Sequence, residues 1–181
     1  MPSAFSTHCR GCPYEGATHL PPSSRAVRST PLSMEDHCSS VLLLFQAPGE
    51  KEWVHGRPVS STERGSAGSR LAKAFACAGK TRADFNITKA VQCFPGKMPV
   101  CASERPRDRC PPALARRHCA EWLREDLKAH NYARISVFGG EAKKSILLVG
   151  LADDPRVRYY KHPAGGLSDA EILEAIGYHL R

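Results

Sequence analysis

The run Val41-Leu42-Leu43-Leu44-Phe45 constrains this chain more than any other feature. A strand with one wet face alternates polar and apolar residues. An unbroken apolar run reads instead as a strand covered on both faces, as in a parallel sheet packed between helices. The run stops at Gln46-Ala47-Pro48-Gly49, which must leave the strand as a loop. Phe85 to Val91, Ile135 to Phe138 and Val157 to Tyr160 read as three further strands. Helical patterns fall between them. Ser69 to Ala78 carries Leu71, Ala74, Phe75 and Ala78 on one face, with Gly79 as its stop. Ala113 to His130 offers Leu114, Trp122, Leu123 and Leu127 to a core, and Glu141 to Leu148 is a shorter helix. Ser168 caps a last helix, with Glu171 at the capping-box position. Residues 13–39 and 50–65 read as loops, and 94–112 as a long, basic, Pro-rich one. The expected fold is α/β: a three-layer sandwich with a central, mainly parallel four-stranded sheet flanked by helices, in a single domain over 1–181.

In such a sheet, ligands bind beyond the carboxyl ends of the strands. Gln46–Gly49, Lys89–Cys93 and Lys161–Gly166 all lie there, far apart in sequence but convergent in space. The chain carries 26 Lys+Arg against 18 Asp+Glu, a formal charge of +8. That excess points to a polyanionic partner, of which nucleic acid is the commonest. No stretch is long and apolar enough to span a membrane, and the first ten residues lack the pattern of a secretory signal. A cytoplasmic monomer is expected. The eight cysteines then favour metal ligation over a disulfide framework.

Gln46-Ala47-Pro48-Gly49, then Gly56-Arg57-Pro58, then Gly65-Ser66-Ala67-Gly68 resemble, in order, the first motifs of the iron–sulfur (family 4) uracil-DNA glycosylases. Ile87-Thr88-Lys89-Ala90-Val91-Gln92-Cys93 is similar to that family's Ile-Thr-Asn strand motif, Phe138-Gly139-Gly140-Glu141-Ala142 to its Leu-Gly-x-x-Ala, and His162-Pro163-Ala164 to its closing His-Pro motif. The ordered set is specific where each piece is weak. It implies a glycosylase that flips a base out of DNA and hydrolyses its N-glycosidic bond, leaving an abasic site.

The resemblance also implies a [4Fe–4S] cluster. Cys9, Cys12, Cys93 and Cys110 fit the family pattern, with Cys101 and Cys119 as rivals for the last position and zinc as the chemical alternative. Cys38 and Cys77 are expected to be inert. The cluster would pin the basic loop that carries Lys97, Arg105, Arg107 and Arg109, giving phosphate contacts alongside Arg57. Leu167, past Gly165-Gly166, reads either as a wedge filling the gap left by a flipped base or as a core leucine at a helix start.

Departing a base as an anion requires a donor at its oxygen and an acidic group or oriented water near the anomeric carbon. By resemblance His162 is the donor and Glu52 the acid, with Glu50 and Glu63 as rivals. Ala47, Pro48 and Gly49 would wall the pocket. Three positions depart from the family. Its catalytic-loop Glu is Gln46, its stacking Phe is Val59, and its base-reading Asn is Lys89. The loop from Pro58 to Gly65 is also longer. Lysine has donors only, so it cannot accept uracil N3–H but can donate to cytosine N3. With Val59 opening the pocket, a bulky 5-substituted cytosine of the phage hypermodified type is the expected substrate, and antiviral defence a compatible use. Uracil excision, a lyase reaction through Lys89, and a non-catalytic DNA-binding role are the alternatives.

Overall fold

The computed structural model describes residues 9–15, 31–98 and 107–178. Among them are four strands, β1 (Val41–Phe45), β2 (Asn86–Lys89), β3 (Arg134–Phe138) and β4 (Val157–Tyr160). Five helices accompany them: α1 (Glu50–His55), α2 (Ala67–Cys77), α3 (Ala113–Ala129), α4 (Gly140–Leu148) and α5 (Asp169–Ala175). The sheet is wholly parallel, in the order β2-β1-β3-β4. The expected α/β architecture holds.

Alternation along β1 divides the core. Leu43 and Phe45 face the cluster built with Leu71 and Phe75 of α2 and Ile172 of α5. Leu42 and Leu44 face the opposite cluster, with Leu123 of α3 and Ile146 of α4. Both faces are covered, which is why the strand sequence shows no polar alternation. On the free edge of β2, Glu35 and Ile87 exchange backbone hydrogen bonds of 2.9 and 3.0 Å. The segment before β1 thus shields an edge that would otherwise offer unpaired backbone groups.

Four details refine the sequence reading. Helix α1 lies inside the stretch read as loop; with six residues and a glycine N-cap it gives too little periodicity to detect. Leu114 is 48 % exposed, and α3 instead buries Ala115, Cys119, Ala120 and Leu123. The two ends of the long basic loop form an antiparallel pair, in which Met98 N–H donates to Arg107 O and Arg109 N–H to Gly96 O. Leu167 is 2 % exposed within the α2/α5 cluster, which agrees with the second of its two readings, a core leucine at a helix start.

The loop 56–65 is locked against α2 by a close backbone approach. A Cβ on Gly68 would stand 2.7 Å from Val59 O and would also collide with Ser61 O. Neither neighbour is a flexible side-chain end. Gly68→Ala is therefore expected to destabilise the protein by about 1–3 kcal/mol through overpacking, seen as a lowered midpoint in thermal denaturation.

Candidate active site

The parallel register sets Phe45 beside Lys89, so the turn after β1 and the end of β2 share one edge of the sheet. Over that edge opens a cavity of about 430 Å³, lined by Gln46, Ala47, Pro48, Gly49, Glu52, Lys89 and His162 among others. The three predicted segments thus meet in one place.

On its floor, Lys89 Nζ lies 2.7 Å from Glu52 Oε2, with both side chains largely buried. The same carboxylate oxygen accepts the Gly49 N–H at 2.8 Å. One carboxylate therefore ties the turn after β1 and the first turn of α1 to the end of β2. The Lys89 ammonium also sits 5.2 Å from the centre of the Phe45 ring. Burial lowers the Lys89 pKa, and Glu52 opposes that shift.

His162 caps a short 3-10 turn, Pro163–Gly165, that follows β4. Its Nδ1 accepts the Ala164 N–H at 3.3 Å, so in the neutral ring the proton resides on Nε2. Burial first, then the Lys89 cation, pushes the His162 pKa below its ordinary value of 6.5, with Glu52 pulling the other way. The imidazole is a neutral N–H donor at neutral pH. The ring also forms the partition between this cavity and a second, open groove lined by Gly139, Gly140, Lys143, Tyr159 and Lys161. That groove has two lysines and no carboxylate in its lining.

The rim carries two residues that sequence reasoning missed, Ser61 and Asp108, beside Glu63, which it named as a rival to Glu52. Ser61 and Glu63, from the lengthened loop, line the wall, and Glu63 pairs with Lys51. Asp108 leans over the turn, so that a Cβ on Gly49 would meet its Oδ2 at 3.2 Å. Lys97 lies 2.6 Å from Asp108 and 3.2 Å from Glu50, so it belongs to the cavity wall rather than to a free phosphate-binding surface. Arg109 is exposed and donates to Lys97 O, Arg107 is exposed, and Arg57 pairs with Glu35 outside the cavity. Arg105 and Cys101 lie outside the described residues.

Val59 corrects an expectation. It is 1 % exposed, sits in the cluster with Phe45, Leu71 and Phe75, and does not line the cavity. Its φ of 50° is left-handed, a strained state for a β-branched residue. Arg82 holds the strain in place by donating to the carbonyls of Pro58 and Val59. The turn so formed points the side chain inward. Among the described residues no Phe, Tyr or Trp lines the cavity, so its room does not depend on a small side chain at position 59.

A second, narrow cavity is lined by Cys9, Cys12, Cys93 and Cys119. All four are buried and free of disulfides. Burial raises the thiol pKa of Cys12 and Cys93, and that of Cys119 to about 12. Cys110, expected as the fourth member, is exposed and does not line this cavity; Cys119, named as its rival and buried on α3, does. No three of the described His, Cys, Asp or Glu side chains form a set that would hold a metal ion as they stand. The donor chemistry nonetheless fits a thiolate-bound centre. Three of the four soft donors, Cys12, Cys93 and Cys119, share an apolar cluster that also holds the buried, unpartnered indole N–H of Trp53.

An all-parallel sheet, with a neutral histidine and a carboxylate facing one polar cavity beyond its strand ends, defines an α/β protein with an enzyme-like site at the carboxyl edge of its sheet. Residues 34–174 match the uracil DNA glycosylase superfamily, and the chain belongs to it. Membership implies a DNA glycosylase acting on a damaged or modified base, with DNA as substrate. No curated protein matches the chain. No helix among the described residues is long and apolar enough to cross a membrane.

The floor geometry gives a signed pH prediction. Wild-type His162 should stay neutral as the pH falls past 6.5, because its pKa is depressed. Lys89→Met removes a nearby cation and leaves Glu52 unpaired, and both changes stabilise the imidazolium. The His162 midpoint in an NMR pH titration should therefore rise. An unchanged or lower midpoint would contradict the assigned coupling.

Proposed function

We propose that this chain is a monofunctional DNA glycosylase that hydrolyses a 5-substituted cytosine, rather than uracil, from DNA. The observation that carries the reading is Lys89 on the cavity floor, beside Glu52 and His162. Its side chain is 4 % exposed and faces this cavity, which argues against a phosphate contact. An ammonium offers only donors, so it complements the N3 acceptor of cytosine and leaves uracil N3–H without a partner. An unpaired polar edge in a buried site is a strong discriminator. A cavity of about 430 Å³ leaves space for a substituent beyond a bare pyrimidine ring.

The roles follow from the contacts. His162 donates from Nε2 to the oxygen of the departing base, where negative charge develops. Both hydrogen-bonding contacts of Glu52 fall on Oε2, which leaves Oε1 for the attacking water or the sugar cation. The amide of Gln46, at the cavity wall, offers both a donor and an acceptor to base or water. The groove on the far side of His162, with Lys143 and Lys161, suits the flanking phosphates. Excision of a hypermodified cytosine would damage phage genomes selectively, which makes antiviral defence the biological role we favour. One observation supports a second reading: the depressed Lys89 pKa favours an amine nucleophile and hence a lyase. The pairing with Glu52 opposes it by holding the charge.

Cys9, Cys12, Cys93 and Cys119 are the residues that would hold an iron–sulfur cluster. Such a cluster would act as a structural cross-link between the N-terminal turn, the end of β2 and α3. Iron and sulfide analysis of purified variants tests the ligand set. Cys119→Ser should lose most bound iron, whereas Cys110→Ser should retain it. Stoichiometric zinc in the wild type would remove the cluster from the proposal.

The central test is base release from oligonucleotides carrying uracil, cytosine, 5-hydroxymethylcytosine and larger 5-substituted cytosines. Release of a substituted cytosine with uracil untouched is expected. His162→Ala should slow it by about a hundredfold or more, since a preorganised donor is lost. Uracil release alone would overturn the substrate assignment. A borohydride-trapped adduct through Lys89 would replace hydrolysis with the lyase reaction.

A further inference from the structure

The reading of His162 as donor needs its proton on Nε2, and one peptide unit controls that. Ala164 N–H donates to His162 Nδ1. The carbonyl of the same peptide unit, Pro163 O, accepts from the guanidinium of Arg70 in α2. A peptide is planar, and this one is trans, so fixing its carbonyl fixes the direction of its N–H. Arg70 also donates from its other terminal nitrogen to Asp169 Oδ1, at 2.7 Å, in the first turn of α5. The guanidinium therefore spans both ends of the segment 163–169. That segment contains Gly165 and Gly166, the latter at φ 92°, and has no sheet partner of its own. Without a clamp its glycines would let the peptide turn.

We propose that Arg70 is the positioning residue for His162: it holds the Pro163–Ala164 peptide so that Ala164 N–H occupies Nδ1 and the reactive proton stays on Nε2. Arg70 touches neither cavity and acts only through this peptide. A charged donor on the carbonyl also polarises the peptide, strengthening its N–H as a donor. The guanidinium fork suits two acceptors at once; a single ammonium does not. Lys73 shares Asp169, at 2.8 Å, but makes no contact with Pro163, which makes it a natural control.

This inference rests on the proposed role of His162, and two measurements separate its failure from failure of that role. The first needs no substrate. Ring-nitrogen NMR of histidine-labelled protein, with the His162 signals assigned by their loss in His162→Asn, should show one Nε2–H tautomer in the wild type. Arg70→Gln should give tautomer-averaged shifts, and Lys73→Gln should leave the wild-type pattern. Arg70→Lys keeps a cation beside Asp169 and should show the same averaging, so it decides the matter if the glutamine variant does not fold. Unchanged His162 signals in a folded Arg70 variant would overturn the proposal. The second measurement is base release from the substituted-cytosine oligonucleotides. Arg70→Gln should cut the rate roughly tenfold to a hundredfold with DNA affinity unchanged, the scale expected for a misplaced catalytic group. It should add nothing on a His162→Ala background. An additive loss there would also overturn it. Should no oligonucleotide be cleaved by the wild type, the glycosylase reading fails and the NMR result still decides the role of Arg70.

Discussion

The buried pair Lys89–Glu52 is the interaction on which the site is organised. Two charges removed from water cost several kcal/mol each unless geometry returns it. Here one oxygen of Glu52 meets both the ammonium and the Gly49 N–H, and the Phe45 ring lies beneath the cation. These contacts join the ends of two neighbouring strands and the start of α1. A pair of apolar residues would hold the same elements together at lower cost. Its presence at the floor of this polar cavity is therefore better explained by chemistry than by stability.

Each remaining part of the site is set by something behind it. The parallel register of β1 with β2 decides that Phe45 and Lys89 are neighbours. Arg82 holds the inward turn at Val59, and Gly68 lets that loop lie against α2, which brings Ser61 and Glu63 to the wall. Gly139 takes φ 89°, a backbone state that favours glycine, in the turn that lies against His162. None of these residues needs to touch a base to shape what the cavity accepts.

Much of this was legible in the sequence. The apolar run of β1, the Ser168–Glu171 capping box and the convergence of three strand ends follow from periodicity and turn chemistry, and the structure repeats them. What escaped had no periodic signal. Helix α1 is too short, and Asp108 reaches the rim only because the basic loop folds back on itself. The inward turn of Val59 depends on a distant arginine. The fourth cysteine is a different case, because its signal was present. Cys119 stands four residues from both Ala115 and Leu123 on one helical stripe, and that stripe is the buried one. Spacing from Cys93 favoured Cys110, whereas periodicity within α3 favoured Cys119.

Helix α1 links the two sites more directly than the sheet does. Glu52 faces the base cavity, while the next residue, Trp53, packs with Cys12, Cys93, Phe94 and Cys119. In a helix of six residues, successive side chains share nearly the whole rigid body. Anything that tightens or loosens the cysteine cluster must therefore act on the position of Trp53, and through it on the carboxylate that pairs with Lys89. A thiolate-bound centre would then do more than cross-link the N-terminal turn and α3 to the end of β2. It would set the height of Glu52 over the cavity floor, and with it how far that carboxylate offsets the burial and the Lys89 cation that depress the His162 pKa.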